Sequence, residues 1–135
     1  MESFVIQGGA ELSGEIVTAG NKNAALPLLC ACLLTEEEVI LRNMPRIRDT
    51  EAQIELLEGL GVKTEWLNAH DLKLQADAIG STDVDEGLAA RIRASFLLAG
   101  PLLARYGKVS MPPPGGDTIG RRRLDPHLDL SLIHI

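Results

Sequence analysis

Asn23-Ala24-Ala25-Leu26-Pro27-Leu28-Leu29-Cys30-Ala31-Cys32-Leu33-Leu34, followed closely by Glu38-Val39-Ile40-Leu41-Arg42, reads as a helix and then a strand. Alanine and leucine favour the helix, and Pro27 stands near enough to its start to be tolerated. The second stretch alternates like a half-buried strand, and Pro45 closes it. The same pair recurs at an offset of about 70 residues, as a helix over Arg93–Arg105 and a strand over Lys108–Met111. In both copies a proline-containing loop follows the strand. Between them, Thr50-Glu51-Ala52-Gln53 has the pattern of a capping box, with Ile54, Leu57 and Leu60 at helical spacing behind it. Gly59 and Gly61 are expected to stop that helix. Val62, Thr64 and Trp66 alternate on the next strand and Leu72, Leu74 and Ala76 on another, with Asn68-Ala69-His70-Asp71 as the hairpin. From about Asp85 the spacing predicts a long helical stretch to Arg105, interrupted at Gly100-Pro101. Upstream, Phe4-Val5-Ile6-Gln7 and Glu15-Ile16-Val17-Thr18 read as short strands.

The second copy of the repeat breaks off inside its second helix, so the chain is expected to be incomplete. Leu124-Asp125-Pro126-His127-Leu128 starts a helix well. Ser131-Leu132-Ile133-His134-Ile135 then gives it no polar face and no cap. Residues 129–135 are therefore expected to be a tail foreign to the gene, with a short natural apolar terminus as the alternative.

Composition narrows the function classes. The 135 residues are 45% hydrophobic and 24% charged, an ordinary globular balance. Aromatic residues are 3% of the chain and the formal net charge is −6, so neither base stacking nor general polyanion binding is indicated and no nucleic-acid partner is expected. No apolar run approaches the length of a membrane span, so no membrane insertion is expected and the cytoplasm is the default location. Cys30 and Cys32 form a C-x-C pair in an apolar helix without a second Cys or His pair nearby. They read as buried small residues, with a metal site as the remote alternative.

Two segments could carry chemistry. Gly20-Asn21-Lys22-Asn23 is a glycine turn leading into a helix N-terminus. Free N–H groups, the helix dipole and the Lys22 charge would all welcome an anion there. The same residues also make a plain capped helix with a solvated lysine, with Asn21 or Asn23 as the cap. Pro112-Pro113-Pro114-Gly115-Gly116-Asp117-Thr118-Ile119-Gly120-Arg121-Arg122-Arg123 sets one carboxylate among three guanidiniums, a composition suited to phosphate binding plus proton transfer. Read blandly, it is a surface loop with an Asp–Arg pair. On one continuous helix Arg91 and Arg93 stand about 200° apart, so they cannot both face one ligand. His70 and His127 lack partners at triad or metal spacing and read as structural.

Together, Ala19-Gly20-Asn21-Lys22-Asn23-Ala24-Ala25-Leu26-Pro27, Arg93-Ala94-Ser95 and Pro114-Gly115-Gly116-Asp117-Thr118-Ile119-Gly120 with Arg122 resemble the UDP-N-acetylglucosamine 1-carboxyvinyltransferases of the enolpyruvyl transferase family. The likeness runs in order over about residues 1–128. The sister 3-phosphoshikimate 1-carboxyvinyltransferases share the fold but normally carry different glycine and arginine motifs.

The resemblance implies an inside-out α/β barrel of repeated βαβαββ-type units, incomplete here. It assigns residues 1–21 to strands of a second domain and residues 22–128 to part of a first. The implied reaction transfers the enolpyruvyl group of phosphoenolpyruvate to the 3′-hydroxyl of UDP-N-acetylglucosamine and releases phosphate, without metal or organic cofactor. It is the first committed step of peptidoglycan synthesis. By the same resemblance Lys22 and Asn23 bind the two substrates, Arg93 reaches the substrate pocket and Arg91 is its solvated neighbour. Arg122 holds phosphate charge, and Arg122-Arg123-Leu124-Asp125-Pro126 lies where the nucleotide-sugar segment runs. Asp117 takes the place of the usual cysteine, the acid that protonates the methylene carbon of phosphoenolpyruvate. Members with that cysteine are inactivated by the epoxide fosfomycin, so this chain is expected to belong to an insensitive enzyme. The competing readings are a non-catalytic half domain that binds UDP-sugars or phosphate, and the sister 3-phosphoshikimate 1-carboxyvinyltransferase.

Overall fold

Asn21 starts the first helix. Its side chain accepts hydrogen bonds from the Asn23 and Ala24 amides at 2.8 and 3.2 Å, which is the work of an N-cap. The computed structural model describes residues 3–116 and 123–133, of which 130–133 are described by their backbone alone. Helix α1 runs Lys22–Ala31 and tightens into a 3-10 turn over Cys32–Leu34. Strand β1 (Val39–Leu41), helix α2 (Arg48–Leu60) and the hairpin strands β2 (Lys63–Trp66) and β3 (Leu72–Gln75) follow in the order expected from the sequence.

The sheet is antiparallel with β3 in the middle, in the order β1-β3-β2. Register pairs Val39 with Leu74 and Leu74 with Thr64, then Leu41 with Leu72 and Leu72 with Trp66. That row faces the helices, and Leu72 and Leu74 are fully buried. The alternate row of Ile40, Lys73 and Glu65 faces outward, where Lys73 pairs with Glu65 and, at 3.7 Å, with Glu38. Opposite the sheet, Leu29 and Leu33, Leu56, Leu57 and Leu60, and Leu98 and Leu102 complete one core. Burial of these apolar faces drives the assembly.

Several boundaries differ from the sequence reading. Helix α2 begins at Arg48, and Thr50 is its third residue. The Thr50 hydroxyl accepts from the Ile47 amide at 3.2 Å and reaches the Pro45 carbonyl at 2.6 Å. Gly59 lies inside that helix, and Gly61 alone ends it, at φ 105°. The long helix expected from Asp85 is broken earlier than Gly100-Pro101. Short helix α3 (Glu86–Ala89) stops, Ile92 is extended, a 3-10 helix covers Arg93–Leu98, and α4 runs Ala99–Tyr106. Pro101 falls in the first turn of α4, where its missing N–H costs nothing. The strand expected over Lys108–Met111 reduces to one parallel bridge, Ser110 with Asp83, because Pro112 follows at once. Helix α5 spans Asp125–Ile133.

The strands expected at 4–7 and 15–18 are not formed. A strand exists only through its ladder partner, and residues 3–20 have none among the described residues. Phe4 is 94% exposed and Val17 87%. Where this segment meets the body, Gly20 crosses the Asn43–Pro45 turn so closely that a Cβ would sit 1.8 Å from the Asn43 carbonyl oxygen. Only glycine fits there.

Cys30 and Cys32 are buried, as read from the sequence. Burial, helped by the neighbouring Cys32, pushes the Cys30 thiol up to about 12, so it stays protonated and inert.

Arg105 carries more of the fold than its place late in a helix suggests. Its Nη1 reaches the carbonyls of Leu33, Thr35 and Ala76 at 2.9, 3.2 and 2.8 Å, and its Nη2 meets Glu36 at 2.9 Å. One guanidinium thus ties the end of the first helical run to the end of β3. Arg105→Ala is expected to lower unfolding stability by about 2 kcal/mol, since partly buried acceptors lose a charged donor. Arg105→Lys should recover only part of that, because an ammonium lacks the planar fork. The midpoint of urea unfolding checks this, and an unchanged midpoint in Arg105→Ala overturns it.

Candidate functional site

The N-terminus of α1, the start of α2, the link between α3 and the 3-10 helix, and the start of α5 converge on a cavity of about 510 Å3. Lys22 and Asn23, the first two residues of α1, line it. The Lys22 ammonium pairs with Asp49 at 2.7 Å, and Asp49 itself stands in the first turn of α2, where the helix dipole favours a carboxylate. The Asn23 and Ala24 amides are already taken by Asn21. Two of the amides at this helix end are thus satisfied within the cap, and the Lys22 charge stands beside them.

Arg93 opens the 3-10 helix and lines the cavity from the other side of the sequence. Buried Ser95 fixes the turn beneath it by donating to the Ile92 carbonyl at 2.9 Å. Arg91 lines the same cavity and pairs with Glu55 at 2.6 Å. The expected 200° separation of the two arginines fails because the backbone between them is not helical.

The proline-glycine loop docks on that link. The amides of Gly115 and Gly116 donate to the Ala89 and Ala90 carbonyls at 3.1 and 3.2 Å, and so satisfy the exposed end of α3. A Cβ on Gly115 would lie 1.7 Å from the Ala90 oxygen, and one on Gly116, at φ 89°, would lie 2.9 Å from the Arg93 nitrogen. The two glycines are what allow the loop to lie against the site, and Gly116 lines the cavity. Asp117 and Arg122 lie outside the described residues.

On the far side, Arg123 and Leu124 line the cavity, while Asp125 holds Arg123 at 2.7 Å. The Arg123 guanidinium holds the exposed Asp125 carboxyl below its usual range. Pro126 sits in the first turn of α5, exposed, and is not among the lining residues. His127 reaches Phe96 across the cavity, ring centre to ring centre 5.7 Å, so it belongs to the site wall although the sequence reads it as merely structural. His70 stays at the hairpin, 3.4 Å from the Met44 carbonyl. Sequence reasoning also missed Asp49, whose link to Lys22 spans 27 residues and leaves no local signal.

Lys22, Arg91, Arg93 and Arg123 line the wall with one carboxylate, Asp49, so cations outnumber anions there in a chain of net charge −6. Such a wall suits phosphate and carboxylate oxygens. Among the described residues no cluster of three or more His, Cys, Asp or Glu is placed to hold a metal ion, and no helix is long and apolar enough to cross a membrane.

The family model described as EPSP synthase (3-phosphoshikimate 1-carboxyvinyltransferase) matches residues 6–131. The chain belongs to this enolpyruvyl transferase family. A relative from Bradyrhizobium diazoefficiens named UDP-N-acetylglucosamine 1-carboxyvinyltransferase is 55% identical over 125 residues, which cover 93% of this chain and 29% of that protein. One of the same name from Treponema denticola is 50% identical over 127 residues, 94% of this chain and 30% of the relative. The chain thus spans about three tenths of the length of these curated relatives. The crystal structure of the enolpyruvyl transferase NikO from Streptomyces tendae superposes with a TM-score of 0.63 at 27% identity, covering 74% of this chain and 23% of that one. The fold is therefore that of the enolpyruvyl transferases, here as a three-stranded sheet with its helices.

Proposed function

We propose that this chain is the opening part of an enzyme that transfers the enolpyruvyl group of phosphoenolpyruvate to the 3′-hydroxyl of UDP-N-acetylglucosamine, in the cytoplasm, as an early step of peptidoglycan synthesis. The observation that carries the reading is the cavity in which Lys22, Asn23, Arg93 and Arg123 meet. Relatives bearing that activity in their names support it.

In this reading Lys22 receives the charge of phosphoenolpyruvate, and Arg93 with the Arg122–Pro126 segment holds the nucleotide sugar. Asp117 gives its proton to the methylene carbon while the 3′-hydroxyl passes its proton to a base that the rest of the enzyme supplies and its oxygen bonds to the adjacent carbon. A base, for which the Asp117 carboxylate left by the first step is available, then takes a proton from the new methyl group as the C–O bond to phosphate breaks, which restores the double bond. Concentrating cations around a leaving phosphate lowers the barrier electrostatically. Residues 1–21 are proposed to complete the sheet of a second domain, which accounts for their exposed apolar side chains.

The test uses a full-length protein in which residues 1–128 replace the matching segment of the Bradyrhizobium diazoefficiens relative. Phosphate release that requires both phosphoenolpyruvate and UDP-N-acetylglucosamine is the expected result. The description of the matching family model favours one competitor, 3-phosphoshikimate as acceptor. Release with that acceptor and none with the nucleotide sugar would overturn the proposal. The 135-residue chain alone is expected to show none with either.

A further inference from the structure

The break between α3 and the 3-10 helix brings together two guanidiniums that a helix would separate. Ile92 is extended, at φ −140° and ψ 142°, with its side chain almost fully buried. On extended backbone alternate residues point the same way. Arg91 and Arg93 line one cavity, and Ile92 between them packs in the core while still adding to the cavity's lining. Arg91 is also anchored. Its Nη1 bonds Glu55 of α2 at 2.6 Å, across 36 residues of chain, and both side chains are about half exposed, which places the pair at the cavity mouth. A guanidinium has five N–H donors in a fixed plane, so an acceptor on one nitrogen leaves others for a ligand.

We propose that Arg91 is a specificity-determining contact for the diphosphate of the nucleotide sugar, acting beside Arg93 and oriented by Glu55. The inference rests on the function proposed above and adds to it a residue that the sequence reading had turned toward solvent. A diphosphate presents oxygens on two phosphorus atoms, and two planar forks set side by side match that spread better than one. Phosphoenolpyruvate is more compact, and its charge is met at the α1 wall by Lys22. The Arg91 contact therefore favours the nucleotide over the small acid.

The experiment compares Arg91→Ala, Arg91→Lys, Glu55→Ala and the Arg91→Ala/Glu55→Ala double variant in the grafted full-length protein. Steady-state kinetics are read for each substrate, and binding of UDP is read by calorimetry. Arg91→Ala is expected to raise the KM for UDP-N-acetylglucosamine and the Kd for UDP about tenfold, as loss of one charge-assisted contact should. The KM for phosphoenolpyruvate and kcat should stay within about twofold, since neither depends on that contact. Lysine should restore less than half of the loss, lacking the fork. Glu55→Ala should cost about threefold, and the double variant should be no worse than Arg91→Ala alone, because the two residues act as one unit. Unchanged UDP binding in Arg91→Ala, or an equal rise in both KM values, overturns the proposal. Normal turnover with unchanged UDP binding in Arg91→Ala removes the Arg91 role and leaves the reaction standing. Arg91-dependent UDP binding without turnover in the parent does the reverse. A parent that binds no UDP removes both.

Discussion

Asp117→Asn in the grafted full-length protein is expected to lower kcat by roughly 10²–10⁴-fold, the usual share of a general acid. The amide matches the carboxyl in size but has no acidic proton to give the methylene carbon. The neighbouring Gly115 and Gly116 remain docked on the end of α3, so the loss should fall on kcat rather than on folding. Asp117→Cys should retain activity, because a thiol can donate the same proton. It should also become sensitive to fosfomycin, since a thiolate opens an epoxide far faster than a carboxylate does. Steady-state phosphate release gives the first result, and intact mass after incubation with fosfomycin and UDP-N-acetylglucosamine gives the second. An adduct on Asp117 of the parent, or full activity in Asp117→Asn, would show the assigned role to be mistaken.

Lys22→Ala is expected to weaken kcat/KM for phosphoenolpyruvate by about 2–5 kcal/mol, the cost of leaving a covered anion without its cation. That corresponds to a loss of roughly 30- to 5,000-fold. The effect should exceed that of any other lining residue on α1 or α2. Removing Lys22 takes away the positive charge and leaves Asp49 facing the incoming phosphate from 2.7 Å behind the lost ammonium. Asp49→Asn alone should be milder, because the cation survives. A kcat/KM within threefold of the parent in Lys22→Ala would place the phosphate elsewhere. Arg122→Ala is expected to fall in the same range.

What could be read from the sequence follows the range over which its signals act. The α1–β1–α2–β2–β3 order was legible because each element announces itself within a few residues: alternation in Leu72 and Leu74, helical spacing in Ile54, Leu57 and Leu60. The resemblance singled out Lys22, Asn23, Arg93 and Gly116, and all four line the cavity. The break at Ile92 was not legible. Arg91-Ile92-Arg93-Ala94-Ser95 has good helical composition, and the helix yields to a tertiary demand, the docking of Gly115 and Gly116 on the Ala89 and Ala90 carbonyls. Arg105 was passed over for a similar reason. Its acceptors at Leu33, Thr35 and Ala76 lie 72, 70 and 29 residues away, and no local window contains them. The strands near Phe4 and Ile16 carry the right composition, yet a ladder needs a second edge that the described residues do not supply.

On the cavity wall Lys22 pairs with Asp49, Arg91 with Glu55 and Arg123 with Asp125, each within 2.7 Å. Their fields largely cancel beyond the mouth, and salt screens what remains over about 10 Å. An anion that binds here would be drawn in weakly from a distance and recognised on contact, through the N–H donors that the resident carboxylate leaves unused. The carboxylate stays to hold its cation in place, and few solution counterions need to leave. Recognition of that kind acts at short range, and its rate should owe little to the ionic strength of the medium.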